Sequence, residues 1–184
     1  MTTRVAVFGG SFNPPHVAHV LTASYVLSTC DIDYFLVVPC FIHPFAKSLA
    51  SFDMRLEMCR KAFGWLPGVE ISEVERQLGG ESRTLRTLQH LAATNPNWSM
   101  RLVVGSDVLQ DASRWYGFSE IERLAPLLVL NRIGMESAEA GPQVLPNVSS
   151  SGIRAAIAKG QIEDVRALLP KGVLAQILDE GLYA

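Results

Sequence analysis

The stretch RVAVFGGSFNPPHVAH, residues 4–19, decides the fold of this chain. It opens with an apolar run over residues 4–8, whose β-branched content is typical of a buried strand. Gly9 and Gly10 then permit a tight turn and let backbone N–H groups come close to a ligand. Pro15 can begin a helix, and the apolar spacing after His16 is that of a helix packed on a sheet. The stretch therefore predicts a strand, a glycine turn and a helix.

The predicted helix carries two histidines in its first turn. His16 and His19 are three residues apart, so they lie on the same helical face. A helix N-terminus attracts phosphate, and each imidazole can donate a hydrogen bond to a phosphoryl oxygen. The glycines match neither G-x-G-x-x-G nor a Gly-Lys-Ser/Thr phosphate loop. The residues predict a phosphate site; histidines that only cap the helix or face solvent are the alternative.

Further apolar runs predict four more strands, at residues 34–39, 69–72, 100–104 and 127–132. Strands that alternate with helical segments form parallel sheets, and such sheets bind ligands beyond the carboxyl ends of their strands. We therefore expect a doubly wound, Rossmann-like α/β fold with a parallel sheet. A helical C-terminal segment would cover about residues 149–184, and a single domain would span residues 1–184. Residues 134–147 lack periodicity and are predicted to form a flexible loop.

Composition excludes several classes of function. The 184 residues are 48% hydrophobic and 18% charged, with a net charge of −2, so no basic surface for nucleic acid is expected. No apolar run approaches the length of a membrane span, and no leader is recognisable, which favours a cytoplasmic protein without a membrane partner. Three cysteines without C-x-x-C spacing indicate reduced core residues rather than disulfides or a zinc site.

Polar residues follow several of the predicted strands. Lys47 lies in the loop after the second strand, and Arg132 ends the fifth. Gly105 and Asp107 follow the fourth strand, where a carboxylate can accept hydrogen bonds from ribose hydroxyls. Helix caps are expected at Ser51 or Asp53 for one helix and at Ser82 or Thr84 for the next.

A second phosphate motif lies at VSSSGIR, residues 148–154. Its serines precede an apolar helical pattern, so they predict a capped helix start with exposed N–H groups and hydroxyls. Arg154, in the first turns of that helix, adds a planar fork of donors suited to phosphate. Serines alone would indicate only a helix cap; together with the histidine motif they favour a phosphate site.

Both motifs resemble the signatures of the nucleotidyltransferase superfamily of adenylyl- and cytidylyltransferases. The family pattern G-x-F-x-P-x-H-x-G-H is matched at five positions, Gly10, Phe12, Pro14, His16 and His19. Ala18 stands where the family has its second glycine. The family pattern I-S-S-T-x-I-R is matched with Val148 for isoleucine and Ser151 for threonine.

Over nearly the whole chain the sequence is similar to the bacterial nicotinate-mononucleotide adenylyltransferases. That resemblance implies catalytic roles for His16, His19 and Arg154. It implies ATP contacts at Gly9, Gly10, Ser11, Phe12, Gly105, Asp107, Arg132, Ser150 and Ser151. It implies contacts to the acceptor nucleotide at Lys47, Thr84, Trp115 and Tyr116. Arg83 replaces a family tyrosine, so the resemblance leaves the choice of acceptor open.

The function implied by this resemblance is adenylyl transfer from ATP to nicotinate mononucleotide, giving deamido-NAD and pyrophosphate. Mg²⁺ would be bound through the ATP phosphates, with no metal ligands from the protein. Other acceptors, nicotinamide mononucleotide or phosphopantetheine, remain open, as does the oligomeric state. A nucleotide-binding module without catalysis is a further alternative, suggested by Ala18 and Arg83. A phosphate hydrolase is least supported, because the sequence offers no metal cage or positioned nucleophile.

Overall fold

The computed structural model describes residues 1–43, 49–106, 115–133 and 143–184. Within them a six-stranded sheet has the order β3-β2-β1-β4-β5-β6. All its neighbouring strands are parallel. The strands are β1 (Thr3–Gly10), β2 (Tyr34–Pro39), β3 (Val69–Ile71), β4 (Trp98–Gly105), β5 (Leu127–Arg132) and β6 (Gln143–Leu145). The predicted parallel sheet is confirmed, and β1 lies inside it between β2 and β4.

Helices connect the strands and complete the C-terminal part of the chain. They are α1 (Val17–Thr29), α2 (Phe52–Phe63), α3 (Val74–Leu78), α4 (Thr84–Thr94), α5 (Phe118–Leu124), α6 (Ser150–Ile157), α7 (Ile162–Val165) and α8 (Lys171–Asp179). A 3₁₀ turn, Arg166–Leu168, separates α7 from α8. No helix in the described ranges is both long and apolar enough to span a bilayer. The predicted helical C-terminal segment is confirmed.

Apolar side chains fill both faces of the sheet. Val5 and Val7 belong to a core cluster that includes Leu88 of α4 and Ile121 of α5. Ala6, between them, belongs to the opposite cluster with residues from α1, α2, α6 and α8. Successive residues of a strand point to opposite faces, so a continuous apolar run serves two layers of helices at once. This layering is the predicted doubly wound arrangement.

Two predictions about strand ends are wrong. Gly9 and Gly10 are not in a turn, because β1 continues through them and pairs them with Val38 and Pro39 of β2. The change of direction comes at residues 11–15 instead. Part of the predicted loop at residues 134–147 forms β6, which pairs with β5 through an irregular register. β6 contributes only two neighbouring apolar residues, Val144 and Leu145, so the sequence shows neither an apolar run nor an alternation there.

The helix caps agree with the sequence in one case and differ in another. Ser51 caps α2 as expected, its Oγ accepting a hydrogen bond from the Met54 amide at 3.2 Å. The predicted cap of α4 by Ser82 or Thr84 is wrong, because the cap residue is Arg83, without a side-chain cap bond. Ser82 Oγ accepts from the Phe41 amide at 2.8 Å instead. The hydroxyl therefore ties the start of α4 to the segment after β2.

Candidate functional site

A cavity of about 270 Å³ opens at the carboxyl ends of β1, β4 and β5. Its walls include five residues that the sequence predicted for the site, namely Gly9, His16, His19, Gly105 and Ser150. Apolar residues of the strand ends, Phe8, Val104 and Leu130 among them, complete the lining. The cavity thus lies at the sheet edge where ligands bind in open α/β folds. We call it the strand-end cavity.

The turn after β1 gives the strand-end cavity its shape. Phe12 is buried and adopts φ +46°, a left-handed conformation that costs a non-glycine residue about 1–3 kcal/mol. Its ring lies 5.1 Å from the His19 ring and 5.5 Å from that of Phe8, measured between centroids. A Cβ on Gly10 would stand 3.0 Å from the Phe12 ring, which explains the absence of a side chain there. The Phe12 ring therefore packs against the His19 ring and helps to hold it in place.

The two histidines stand together at the start of α1. His16 is the N-cap residue, and its ring stacks on that of His19 with centroids 3.8 Å apart. The His16 amide donates a hydrogen bond to Nδ1 of His19 at 3.1 Å. Since Nδ1 accepts this bond, the proton of the neutral His19 ring is on Nε2. The backbone thus fixes the tautomer that can donate from Nε2 to an anion.

Helix α6 brings a second helix N-terminus to the same place. Ser149 is its cap, with Oγ accepting from the Gly152 amide at 3.1 Å. Ser151 donates to the Ser149 hydroxyl at 3.2 Å. Ser150 Oγ donates to the carbonyl of Pro14 at 2.8 Å, across 136 residues of sequence. That bond joins the two predicted phosphate motifs directly.

Arg154 lies on the other side of the α6 start. It lines a second cavity of about 510 Å³ together with Ser151, Asn13 and Tyr183. Its Nη1 donates to the carbonyl oxygen of Asn13 at 2.8 Å. The first turn of α6 contributes to both cavities, Ser150 to the strand-end cavity and Ser151 to the second. This turn therefore gives the strand-end cavity a serine hydroxyl, and it gives the second cavity a serine hydroxyl and the Arg154 guanidinium.

Arg55 is a central residue that the sequence analysis missed. It is 1% exposed, and its guanidinium donates to the carbonyls of Ala50 at 3.0 Å, Ser11 at 2.9 Å and Phe41 at 3.3 Å. Desolvation lowers its pKa. One side chain therefore joins the turn after β1, the segment after β2 and the approach to α2. A sequence feature that could have indicated its burial is its spacing from Cys59, four residues later, which puts Arg55 on the buried face of α2.

The remaining predicted residues are not among those that line the strand-end cavity. Gly10, Ser11 and Phe12 form the end of β1 and the turn beside it. Thr84 is the half-buried first residue of α4. Trp115 packs, half-buried, on the core cluster that includes Leu88, whereas Tyr116 is 75% exposed.

Three further predicted site residues have side chains that the structure does not describe. Lys47 and Asp107 lie outside the described residues. Arg132 ends β5, where only its backbone is described.

The donor set of the strand-end cavity suits an anion. His16, His19, Ser149 and Ser150 are among its lining residues, and no carboxylate is among the described ones. Over the described ranges, no group of three or more His, Cys, Asp or Glu side chains could hold a metal ion. A divalent cation at such a site would be held by phosphate oxygens and water, which is a common mode for Mg²⁺.

Comparison with known proteins points to one family. The Cytidylyltransferase-like family model matches residues 7–156, which include both phosphate motifs. A relative from Anaeromyxobacter dehalogenans is 43% identical over 98% of this chain and 96% of its own length. A relative from Myxococcus xanthus is 38% identical over 98% of this chain and 94% of its own length. Both are named "probable nicotinate-nucleotide adenylyltransferase".

The fold is also found among solved structures. The nicotinic acid mononucleotide adenylyltransferase of Plasmodium falciparum, solved in complex with NaAD, superposes with a TM-score of 0.86. The match covers 98% of this chain and 97% of the other at 20% sequence identity. At that identity the likeness shows a shared fold, including the parallel sheet described above.

Proposed function

This chain belongs to the cytidylyltransferase-like family of nucleotidyltransferases, and from that membership we propose that it adenylylates nicotinate mononucleotide. ATP would supply the adenylyl group, and the products would be deamido-NAD and pyrophosphate. The observation that carries the proposal is the meeting of His16, His19 and the start of α6 at one cavity beyond the parallel strands. The relatives at 43% and 38% identity are named for this activity, and the match covers nearly the whole length of each.

The proposed site holds the triphosphate between two helix starts. His16 and His19 would contact the α-phosphate, and Ser150 and Ser151 would receive the β- and γ-phosphates together with Arg154. Gly9, Gly10, Ser11 and Phe12 would form the floor beneath the nucleotide. Adenosine would reach the ends of β4 and β5, at Gly105, Asp107 and Arg132. The acceptor would contact Lys47, Thr84, Trp115 and Tyr116.

The reaction needs no protein nucleophile. A phosphate oxygen of the acceptor attacks the α-phosphorus of ATP. The bond between that phosphorus and the oxygen that bridges the α- and β-phosphates breaks, and pyrophosphate leaves. Negative charge grows on the departing pyrophosphate, so catalysis rests on alignment and on donors aimed at that charge. The His19 tautomer, with its proton on Nε2, suits this role because a backbone amide already holds the opposite nitrogen.

We propose that Mg²⁺ enters with the nucleotide. The donor set described above fits the phosphates and leaves the cation to phosphate oxygens and water. Bound there, the cation would neutralise part of the triphosphate charge. The serine and arginine donors would then orient the chain of phosphates. A single domain over residues 1–184 would carry the whole site, since the turn after β1 bonds to residues 150 and 154.

The proposal is tested by measuring pyrophosphate release from ATP and Mg²⁺ with a panel of acceptors. We expect nicotinate mononucleotide to give the highest kcat/KM, above nicotinamide mononucleotide and phosphopantetheine. A His16→Ala preparation, purified in parallel, controls for a contaminating transferase. Preference for another acceptor would contradict the proposed substrate. ATP binding without turnover would indicate a binding module, and phosphate release without an acceptor a hydrolase.

A further inference from the structure

The turn after β1 is held by a residue near the far end of the sequence. Asn13 is 1% exposed, and its Oδ1 accepts a hydrogen bond from the Tyr183 hydroxyl at 2.8 Å. The same oxygen accepts from the Ala50 amide at 3.1 Å. Three segments that are distant in sequence therefore meet at one amide oxygen.

Among the described residues, these two bonds fix the orientation of the Asn13 side chain. The Ala50 amide can only donate, so the Asn13 atom that faces it is the oxygen and not the nitrogen. Asn13 Nδ2 is buried and makes no hydrogen bond to any residue that the structure describes. A buried amide with one end unpaired is held only by the bonds at its other end. The Tyr183 hydroxyl supplies one of the two.

The backbone of the same turn accepts hydrogen bonds from the two side chains of α6 that are proposed to contact phosphate. The carbonyl of Asn13 accepts from Arg154 at 2.8 Å, and the carbonyl of Pro14 accepts from Ser150 at 2.8 Å. Phe12, just before, has a positive φ, and such a conformation persists only when its surroundings hold it in place. A shift of Asn13 would therefore move the acceptors on which Arg154 and Ser150 are aligned.

The geometry points to Tyr183 as a positioning residue for the nucleotide site. Through Asn13, its hydroxyl sets where Arg154 and the first turn of α6 stand. This inference rests on the proposed function, because it assigns a role within the same ATP site. Tyr183 itself need not touch the substrate.

The phenol is suited to a fixed donor role. Burial raises the pKa of Tyr183 to about 12, although Arg154 and Arg55 oppose that rise. The hydroxyl therefore keeps its proton throughout the neutral range and donates to Asn13 there. A tyrosine that only filled space would need its ring and not this hydroxyl, which gives the two roles different consequences on substitution.

The test is Tyr183→Phe, which keeps the ring and removes only the hydroxyl. One hydrogen bond is worth about 0.5–1.5 kcal/mol, so we expect the Kd and the KM for ATP to rise about two- to tenfold. We expect kcat to change less, because the chemical donors at His16 and His19 are untouched. Tyr25→Phe is the matched control, since that phenol lies partly buried in α1 and donates no hydrogen bond to the part of the chain that the structure describes.

A double-mutant cycle decides whether Tyr183 acts through Arg154. In an Arg154→Ala background, Tyr183→Phe should weaken ATP binding by less than half of its effect in the wild type. A full, additive effect in that background, or an unchanged ATP Kd in the single variant, would overturn the inference. A lowered melting temperature with normal ATP binding would also overturn it, since that outcome means packing alone.

The acceptor and the positioning role can fail separately. Calorimetric titration of ATP without any acceptor measures the Tyr183 effect directly. Wild-type turnover with nicotinate mononucleotide measures the proposed reaction. A protein that binds ATP but rejects that acceptor would refute the proposed substrate and still give a decisive value for Tyr183→Phe.

Discussion

At the scale of single residues, His19 is a side chain whose tautomer is fixed by a backbone hydrogen bond. The His16 amide occupies Nδ1, and the Phe12 ring packs 5.1 Å away between centroids. A donor held in this way is already oriented before charge develops, so it stabilises a transition state without reorganisation. His19 is therefore the residue for which catalysis and binding should separate most clearly.

We predict that His19→Ala lowers kcat by about 10²–10³ while the Kd for ATP changes much less. The physical reason is that the lost donor acts mainly on charge formed during bond breaking. Steady-state kinetics and calorimetry measure the two quantities on the same preparation. His90→Ala, on α4 and away from the strand-end cavity, is the control. Turnover of His19→Ala within a few-fold of wild type, with a lowered melting temperature, would instead make it a packing residue.

The sequence predicted some of these residues and not others for a physical reason. The histidine pair and the serines are local: their spacing within one turn already determines which groups share a face or cap a helix. The partners of Asn13 are not local, because Tyr183 lies 170 residues away and Arg154 141 residues away. No spacing rule reaches across such distances.

At the scale of elements, Arg55 is the part of α2 that joins it to the sheet edge. Apolar patterns predicted β1 to β5: a strand buried on both faces reads as continuous hydrophobic sequence, and a strand near the edge, such as β3, alternates. A buried arginine inside a helix gives no such pattern, and its three carbonyl partners come from loops. The spacing from Cys59 can indicate that Arg55 is buried, but its three partners can be identified only from the folded structure.

We predict that Arg55→Met lowers the free energy of unfolding by about 3 kcal/mol or more, because three partly buried carbonyls lose a charged donor. Urea denaturation measures the loss. Arg60→Met is the matched control on the same helix; its exposed guanidinium pairs with Glu73 at 2.8 Å, and such surface pairs contribute about 1 kcal/mol at most. Equal losses in the two variants would show that the Arg55 bonds add nothing to stability.

At the scale of the whole molecule, two tyrosines link stability to alkaline pH. Burial raises the pKa of both Tyr34 and Tyr183 to about 12. In an unfolded chain a tyrosine ionises near pH 10. Between these values the unfolded state loses protons that the folded state keeps, so the free energy of unfolding falls as pH rises. The stabilisation is complete below pH 10 and is lost through about pH 12.

We predict that wild-type protein loses stability between about pH 10 and 12 more steeply than variants without these phenols. Tyr34→Phe and Tyr183→Phe should each flatten the fall, and the double variant should flatten it most. Urea midpoints at intervals across this range provide the measurement. Other groups titrate equally in all four proteins, so parallel curves would show that neither phenol contributes.

The bonds from Asn13 to Arg154 and Tyr183 also bear on how the chain is made. Arg154 and Tyr183 are translated more than 140 residues after Asn13, so the turn after β1 is synthesised well before these two partners. Closing loops of that length has an entropic cost that only late contacts offset. A nascent chain can thus pair its early strands while its nucleotide pocket is still incomplete. ATP would then stabilise only chains in which Arg154 and Tyr183 have docked on Asn13, which makes ATP binding a report on whether these distant segments have come together.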